Sequence, residues 1–176
     1  MSAEHAAATP STVGQAMSVE RVRVSARGVI RDRQGWVLAV RLAPERRPPG
    51  KEFLNLPGGT VHQGELPTAA ASREVHEELG LTDLFAGRLL LTVWNIPPYS
   101  LLRPRLQLLF DFGRHDRAAL SARIVLPAEE ISDYKWLSPR SVDRYLYPLQ
   151  AKQLRAVAEH RIYLEQEPVP RADNVR

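Results

Sequence analysis

Residues 56–81 read LPGGTVHQGELPTAAASREVHEELGL, and this run constrains the fold more tightly than any other, because it sets Glu65, Glu74, Glu77 and Glu78 within fourteen residues. Like charges at such spacing repel, so a folded chain that gathers them needs a cation, or dispersal into solvent, to offset the repulsion. Pro67 suits the first turn of a helix, where its missing N–H has no intrahelical partner. Gly80 is a natural helix stop. On a 3.6-residue period Glu74, Glu77 and Glu78 share an arc of roughly 100°, while Thr68, Ser72, Val75 and Leu79 fall on the far side. The spacing therefore predicts a helix that is acidic on one face and packs with the other. Arg73 stands one turn before Glu77 and can pair with it.

Ahead of that helix, Leu56-Pro57-Gly58-Gly59 closes an apolar segment and opens a loop containing Gly64 and Glu65. Glycines there allow tight turns and close backbone approach. The chain has no cysteine and no paired histidines near this run. Hard carboxylate oxygens then suit Mg²⁺ or Mn²⁺ rather than zinc or an iron–sulfur cluster. Magnesium in turn points to a phosphate substrate.

Gly59, Glu65, Arg73, Glu74, Glu77, Glu78 and Gly80, with aliphatic Val75 and Leu81, match every specified position of the pattern G-x5-E-x7-R-E-U-x-E-E-x-G-U. The run resembles the Nudix box. That resemblance implies an α/β fold, the Nudix α/β/α sandwich with a mixed β-sheet, over residues 19–165. A disordered tail is expected at 1–18 and a second tail at 166–176. The resemblance also implies roles. Glu77 and Glu78 would be the main side-chain metal ligands and the Gly59 carbonyl a backbone ligand. Glu74 would be a ligand or the base that activates water, Glu65 an accessory acid and Arg73 the residue that orients Glu77. The implied activity is Mg²⁺- or Mn²⁺-dependent cleavage of the phosphoanhydride in a nucleoside diphosphate linked to another moiety: a nucleoside triphosphate, nucleotide sugar, ADP-ribose or similar compound. The alternative is a Nudix-like domain that binds a nucleotide as a regulator without turning it over. Such domains often have broken boxes, and here every box acid is intact.

The remaining sequence reads as scaffold and substrate pocket. Residues 19–30 alternate apolar and polar, Gln34-Gly35 supplies a turn, and 36–42 resumes an apolar run, which predicts a hairpin. In the Pro- and Gly-rich loop at 44–51, Arg46, Arg47 and Lys51 could meet substrate phosphates. A short strand is expected at 53–56, with Leu54 where the family often has an aromatic. Strands are expected at 84–96 and 106–112, joined by a turn-rich loop. Trp94, Tyr99 and Phe110 are candidate base-stacking aromatics. Within the family a proline sixteen residues past the box marks ADP-ribose hydrolases, and a tyrosine about eighteen past it marks dinucleoside polyphosphate hydrolases. Pro97 and Tyr99 stand at both positions and so do not choose between them. At 128–137 an acidic stretch precedes a closing strand with Trp136, and Glu129 or Glu130 could complete a metal shell or act as a base. Ser138-Pro139 is expected to open a helix and 148–164 to form a packing helix.

The net charge is +4, and only three of the 24 basic residues are lysine. A charge this small, without a basic stripe interleaved with aromatics, predicts no nucleic-acid partner. No run reaches the roughly 18 apolar residues of a membrane span, and 1–16 lacks the apolar core of a secretory signal. The expectation is a cytoplasmic, one-domain protein, monomer or homodimer, acting on a small nucleotide-type molecule.

Overall fold

The computed structural model describes residues 22–47, 52–96 and 103–166. The expected tail at 1–18, residues 167–176 of the second, Lys51, Pro97 and Tyr99 lie outside them, whereas Gln166, expected in the second tail, is described. The predicted hairpin forms from β1 (Arg23–Asp32) and β2 (Val37–Leu42), paired antiparallel with Arg31 opposite Val37. Its turn is fastened by Asp32, whose Oδ1 accepts the Trp36 N–H at 2.7 Å. Gly35 supplies the left-handed φ of 84° that the turn requires.

Strand β1 organises the sheet. Its first half pairs antiparallel with β3 (Gly58–Thr60), and its length pairs parallel with β5 (Arg105–His115). Beyond β5 lie β4 (Leu89–Asn95) and β7 (Tyr163–Gln166), and β6 (Ile131–Leu137) pairs with β2 on the other side. The order is β6-β2-β1-β5-β4-β7, with β3 attached to β1. Parallel β1–β5 and β4–β7 pairs among antiparallel ones make the sheet mixed.

Strand alternation divides the core between the two faces. Ala26, Ile30, Leu38 and Val40 pack with Val75 and Leu79 of α1 (Pro67–Leu79), whereas Val29, Ala39 and Leu109 pack with Ala151 and Ala156 of α4 (Pro148–Ala158). Helix α1 closes against β1 through Gly28, where an added Cβ would come within 2.9 Å of Phe112 and 3.1 Å of Val75. The result is the expected α/β/α sandwich with a mixed sheet.

Several local expectations are corrected. Residues 53–56 form no strand, only isolated bridges from Asn55 to Val40 and from Leu54 to Leu146. Strand β4 begins at Leu89 rather than at 84, because Leu84 is committed to the α1-side core and Gly87 and Arg88 are hydrogen-bonded to Asp111 across the turn. Phe110 is 5% exposed inside the same core, so it has no face to offer a base. A short helix α2 (Arg117–Ser121) arises where none was expected, capped by Asp116 accepting the Ala119 N–H at 2.9 Å. Ser138-Pro139 makes a turn, and helix α3 (Val142–Tyr145) starts only after Ser141. Helix α4 ends at Ala158, His160 takes a φ of 59°, and Leu164 enters β7 instead of extending the helix.

Candidate active site

The box folds as a turn, a short strand, a loop and a helix. Pro67 occupies the first turn of α1, and Gly80 ends it in the left-handed conformation, its N–H donating to the His76 carbonyl. The helix does not divide cleanly into an acidic and an apolar face. Glu78 is 7% exposed, while Glu77 has a half-exposed side chain. The cause is geometric: Glu78 lies about 40° from Glu74 but also only about 60° from Val75 around the axis, at the seam between the faces. Its Oε2 accepts the Gly58 N–H at 2.9 Å. Burial pushes the Glu78 carboxyl up to about 8; Gly58 and Arg27 oppose the shift, and Glu74 and Glu130 add to it.

Arg73 is the hub of the site. Its Nε and Nη2 donate to the two oxygens of Glu65 at 2.8 and 3.0 Å, a bidentate fork. Its Nη1 reaches Glu74 at 3.0 Å and Glu77 at 2.9 Å, and Nη2 also bonds the Thr60 carbonyl at 3.1 Å. The one-turn pair with Glu77 is thus one of three carboxylate contacts. Arg73 and the His62 N–H together hold the Glu65 carboxyl down at about 2. Glu65 is therefore a permanent anion that clamps the arginine across the loop. The sequence spacing gave no hint of this contact, because it joins the loop to the helix.

The other candidates separate. Glu130 pairs with Arg46 at 2.6 Å, and its charge reaches Glu78. Glu129 is exposed. Arg47 is partly buried, with its backbone N–H on the Pro44 carbonyl. Trp94 is partly buried on β4, opposite Leu106. Arg27 was missed by the sequence reading. From β1 its Nη1 donates to the carbonyls of Leu56 at 2.6 Å and Gly58 at 3.0 Å, tying down the turn that holds Glu78. Burial lowers the Arg27 pKa, and Glu78 opposes that shift. The available signal was its place between the small residues Ala26 and Gly28, in the middle of a strand that also carries Arg23 and Arg31 near its ends.

Does this set of residues suit a divalent cation? The donors are all hard oxygens. Glu78 is a buried carboxyl, and Glu74 presses so closely on Gly59 that a Cβ there would lie 2.4 Å from its Oε1. Arg27 compensates the Glu78 charge only in part, since burial still pushes the carboxyl up, so both observations leave room for a cation. Among the described residues no three acids or histidines converge on one point, since Arg73 draws Glu77 aside and shares Glu74.

The two box glycines are expected to respond differently to alanine. At Gly58, with φ 134°, a Cβ would meet the Ala26 carbonyl oxygen at 2.3 Å and the Arg27 Cα at 2.6 Å, both backbone atoms that cannot yield. Gly58→Ala should cost about 3 kcal/mol of stability. At Gly59 the three atoms nearest the added carbon all belong to the Glu74 carboxylate, the free end of a side chain. Gly59→Ala should hold stability within about 1 kcal/mol and lower turnover about 100-fold by displacing Glu74. Melting curves beside turnover measurements check both, and equal destabilisation of the two variants would count against this geometry.

A family model described as the NUDIX domain matches residues 21–159. Among solved structures, the chain is similar to a MutT protein from Methanosarcina mazei Go1, at 24% identity over 80% of this chain and 96% of that one, with a TM-score of 0.64. It is similar to a NUDIX hydrolase from Nitrosomonas europaea, at 21% identity over 81% and 93%, TM-score 0.61. A third is a C. elegans Ap4A hydrolase in a binary complex, at 21% identity over 78% and 96%, TM-score 0.57. At these identities the likeness is one of fold. No curated protein matches the chain.

Proposed function

Because the chain belongs to the Nudix family, we propose that it is an Mg²⁺- or Mn²⁺-dependent pyrophosphohydrolase that cleaves the phosphoanhydride of a nucleoside diphosphate linked to another moiety. The observation that carries this reading is the arrangement of an intact set of acids around Arg73, with Glu78 buried against Gly58. Glu74, Glu77 and Glu78, with the Gly59 carbonyl, would hold the cation. A divalent cation there supplies the positive charge that offsets the oxygens of a diphosphate and makes water a competent nucleophile near neutral pH.

The chain's own residues do the rest. Glu74, wedged between Arg73 and Gly59, is the group we assign to accept a proton from the attacking water. Arg73 fixes its carboxylate and that of Glu77. Glu65 takes no part in proton transfer near neutral pH, because its carboxyl is held at about 2; it keeps Arg73 in place. Arg46 and Glu130, paired at the edge of the site, flank the approach of an anionic substrate.

Nucleoside triphosphates, nucleotide sugars, ADP-ribose and dinucleoside polyphosphates share the scissile anhydride. The Ap4A hydrolase relative supports a nucleotide-type substrate, and at its identity to this chain it selects none among these. Among the described residues no helix is long and apolar enough to cross a membrane. We place the protein in the cytoplasm, as a monomer or homodimer without a nucleic-acid partner.

The test is a substrate panel with Mg²⁺, reading released phosphate, pyrophosphate and nucleoside monophosphate by chromatography. At least one substrate should yield nucleoside monophosphate, faster at alkaline pH, and exhaustive chelation should abolish the reaction. Undiminished turnover without metal would overturn the metal role. Tight nucleotide binding without turnover of any substrate would establish the regulatory-domain reading instead.

A further inference from the structure

A cavity of about 440 Å³ lies on the α4 face of the sheet, toward the end of β1 away from the Gly58 turn. Its floor is apolar: Val29, Val37 and Val142 are buried, and Leu154 and Val157 partly so. Leu89 and Ile162, both exposed, stand at its mouth. The rim is cationic. Arg31, Arg88, Arg114, Arg155 and Arg161 line it, against Asp143 as the one lining acid among the described residues.

The nearby acids do not balance this charge. Asp143 pairs with Arg155, while Asp111 serves both Arg31 at 2.7 Å and Arg88 at 3.7 Å. Among the described residues, the Arg114 side chain has only the Asp32 carbonyl, at 3.3 Å. Among the described residues the enclosed Nε of Arg31 has no hydrogen-bond partner, so this guanidinium is only partly satisfied. The described chain enters at Val22 and leaves at Gln166, both at the other end of the sheet, since Arg23 pairs with Arg105 and Asn95 with both Arg105 and Gln166. Eight residues of strand, roughly 26 Å, separate Arg23 from Arg31. Neither end of the described chain leads into the cavity.

We propose that this cavity is a second ligand site, which binds an organic phosphate of nucleotide size with its apolar body on the valine and leucine floor and its phosphate on the arginine rim. The volume fits a small-molecule site with an apolar lining and a few polar groups. Guanidinium forks match phosphate oxygens in pairs. The site differs from the box in sign: the box presents acids to an anion, whereas this rim attracts one without a metal. Binding here is therefore metal-independent, and it stands whether or not the box hydrolyses anhydrides.

The experiment is calorimetric titration of the full-length, metal-free chain in EDTA with adenosine 5′-monophosphate, adenosine and inorganic phosphate. One molecule of adenosine 5′-monophosphate should bind per chain, with adenosine and phosphate each about tenfold weaker or more. Leu154→Trp, which fills the floor, and the double variant Arg88→Ser/Arg161→Ser, which trims the exposed rim, should each weaken binding about tenfold or more. Glu74→Gln should leave it unchanged. The rim variant alters only exposed side chains, so the test survives if Leu154→Trp fails to fold, and melting curves report folding for each variant. Three results would overturn the proposal: no binding at millimolar nucleotide, binding that Glu74→Gln weakens and the rim variant does not, or phosphate binding as tightly as the nucleotide.

Discussion

Replacing Glu78 with glutamine is expected to lower metal-dependent turnover on the order of 10³-fold while making the metal-free protein more stable at alkaline pH. Glutamine keeps the shape and an oxygen for the Gly58 N–H but cannot ionise. The buried Glu78 carboxyl is pushed up to about 8, well above its ordinary value of 4.5. Between those values the folded chain holds a proton that the unfolded chain has lost, so stability falls as pH rises, by about 1.4 kcal/mol per unit for this group. Below the ordinary value the group adds no pH dependence. Wild type and Glu78→Gln should therefore melt at a similar offset near pH 4 and diverge steadily toward pH 8, with the variant gaining. Cation binding favours the ionised form and should release a proton when metal is added near neutral pH. Melting curves of chelated protein across this range, beside turnover with Mg²⁺, check both halves. A variant that loses stability at every pH would mean that Glu78 is mainly a structural acceptor for the turn.

Arg73→Lys should lower the maximal rate about 100-fold with a change of only a few-fold in the Michaelis constant. Lysine keeps the charge. It cannot reproduce a fork that holds Glu65 bidentately while reaching Glu74, Glu77 and the Thr60 carbonyl. Misplaced carboxylates weaken transition-state stabilisation more than ground-state binding. The variant should also lose stability, by about 1–2 kcal/mol after allowance for the partial exposure of the cluster. The Glu65 carboxyl, held at about 2 by this arginine, contributes stability that is fully present above its ordinary value of 4.5 and is lost as pH falls through 2. In Arg73→Lys that acid-side loss should shrink, because the folded and unfolded values converge. A variant with an unchanged maximal rate and a greatly raised Michaelis constant would show that Arg73 binds substrate instead of positioning the acids.

The box shows how far sequence reaches and where it stops. Pro67, Gly80 and the 3.6-residue spacing determined helix α1, its ends and the Arg73–Glu77 pair, because these depend on backbone geometry within a few residues. Alternation determined the β1–β2 hairpin for the same reason. Even within the helix, periodicity misassigned Glu78: a residue at the seam between faces is buried or exposed according to what packs beside it, and the Gly58 turn decided that.

Contacts between distant segments were not legible. Glu65 bonds Arg73 eight residues away, Arg27 reaches Leu56 and Gly58 some thirty residues on, and Glu130 meets Arg46 across more than eighty. Strand β7 and the early end of α4 depended on an open edge of β4 that only the assembled sheet presents. By itself the sequence determined the chemistry available to the box, since residue types and short-range spacing suffice to name hard oxygen donors and a guanidinium beside them. Only the tertiary structure decided which carboxylates Arg73 holds, which one is buried enough to shift its ionisation, and that a cationic cavity lies on the opposite face. Each of these depends on desolvation and on distances between segments that local periodicity does not encode.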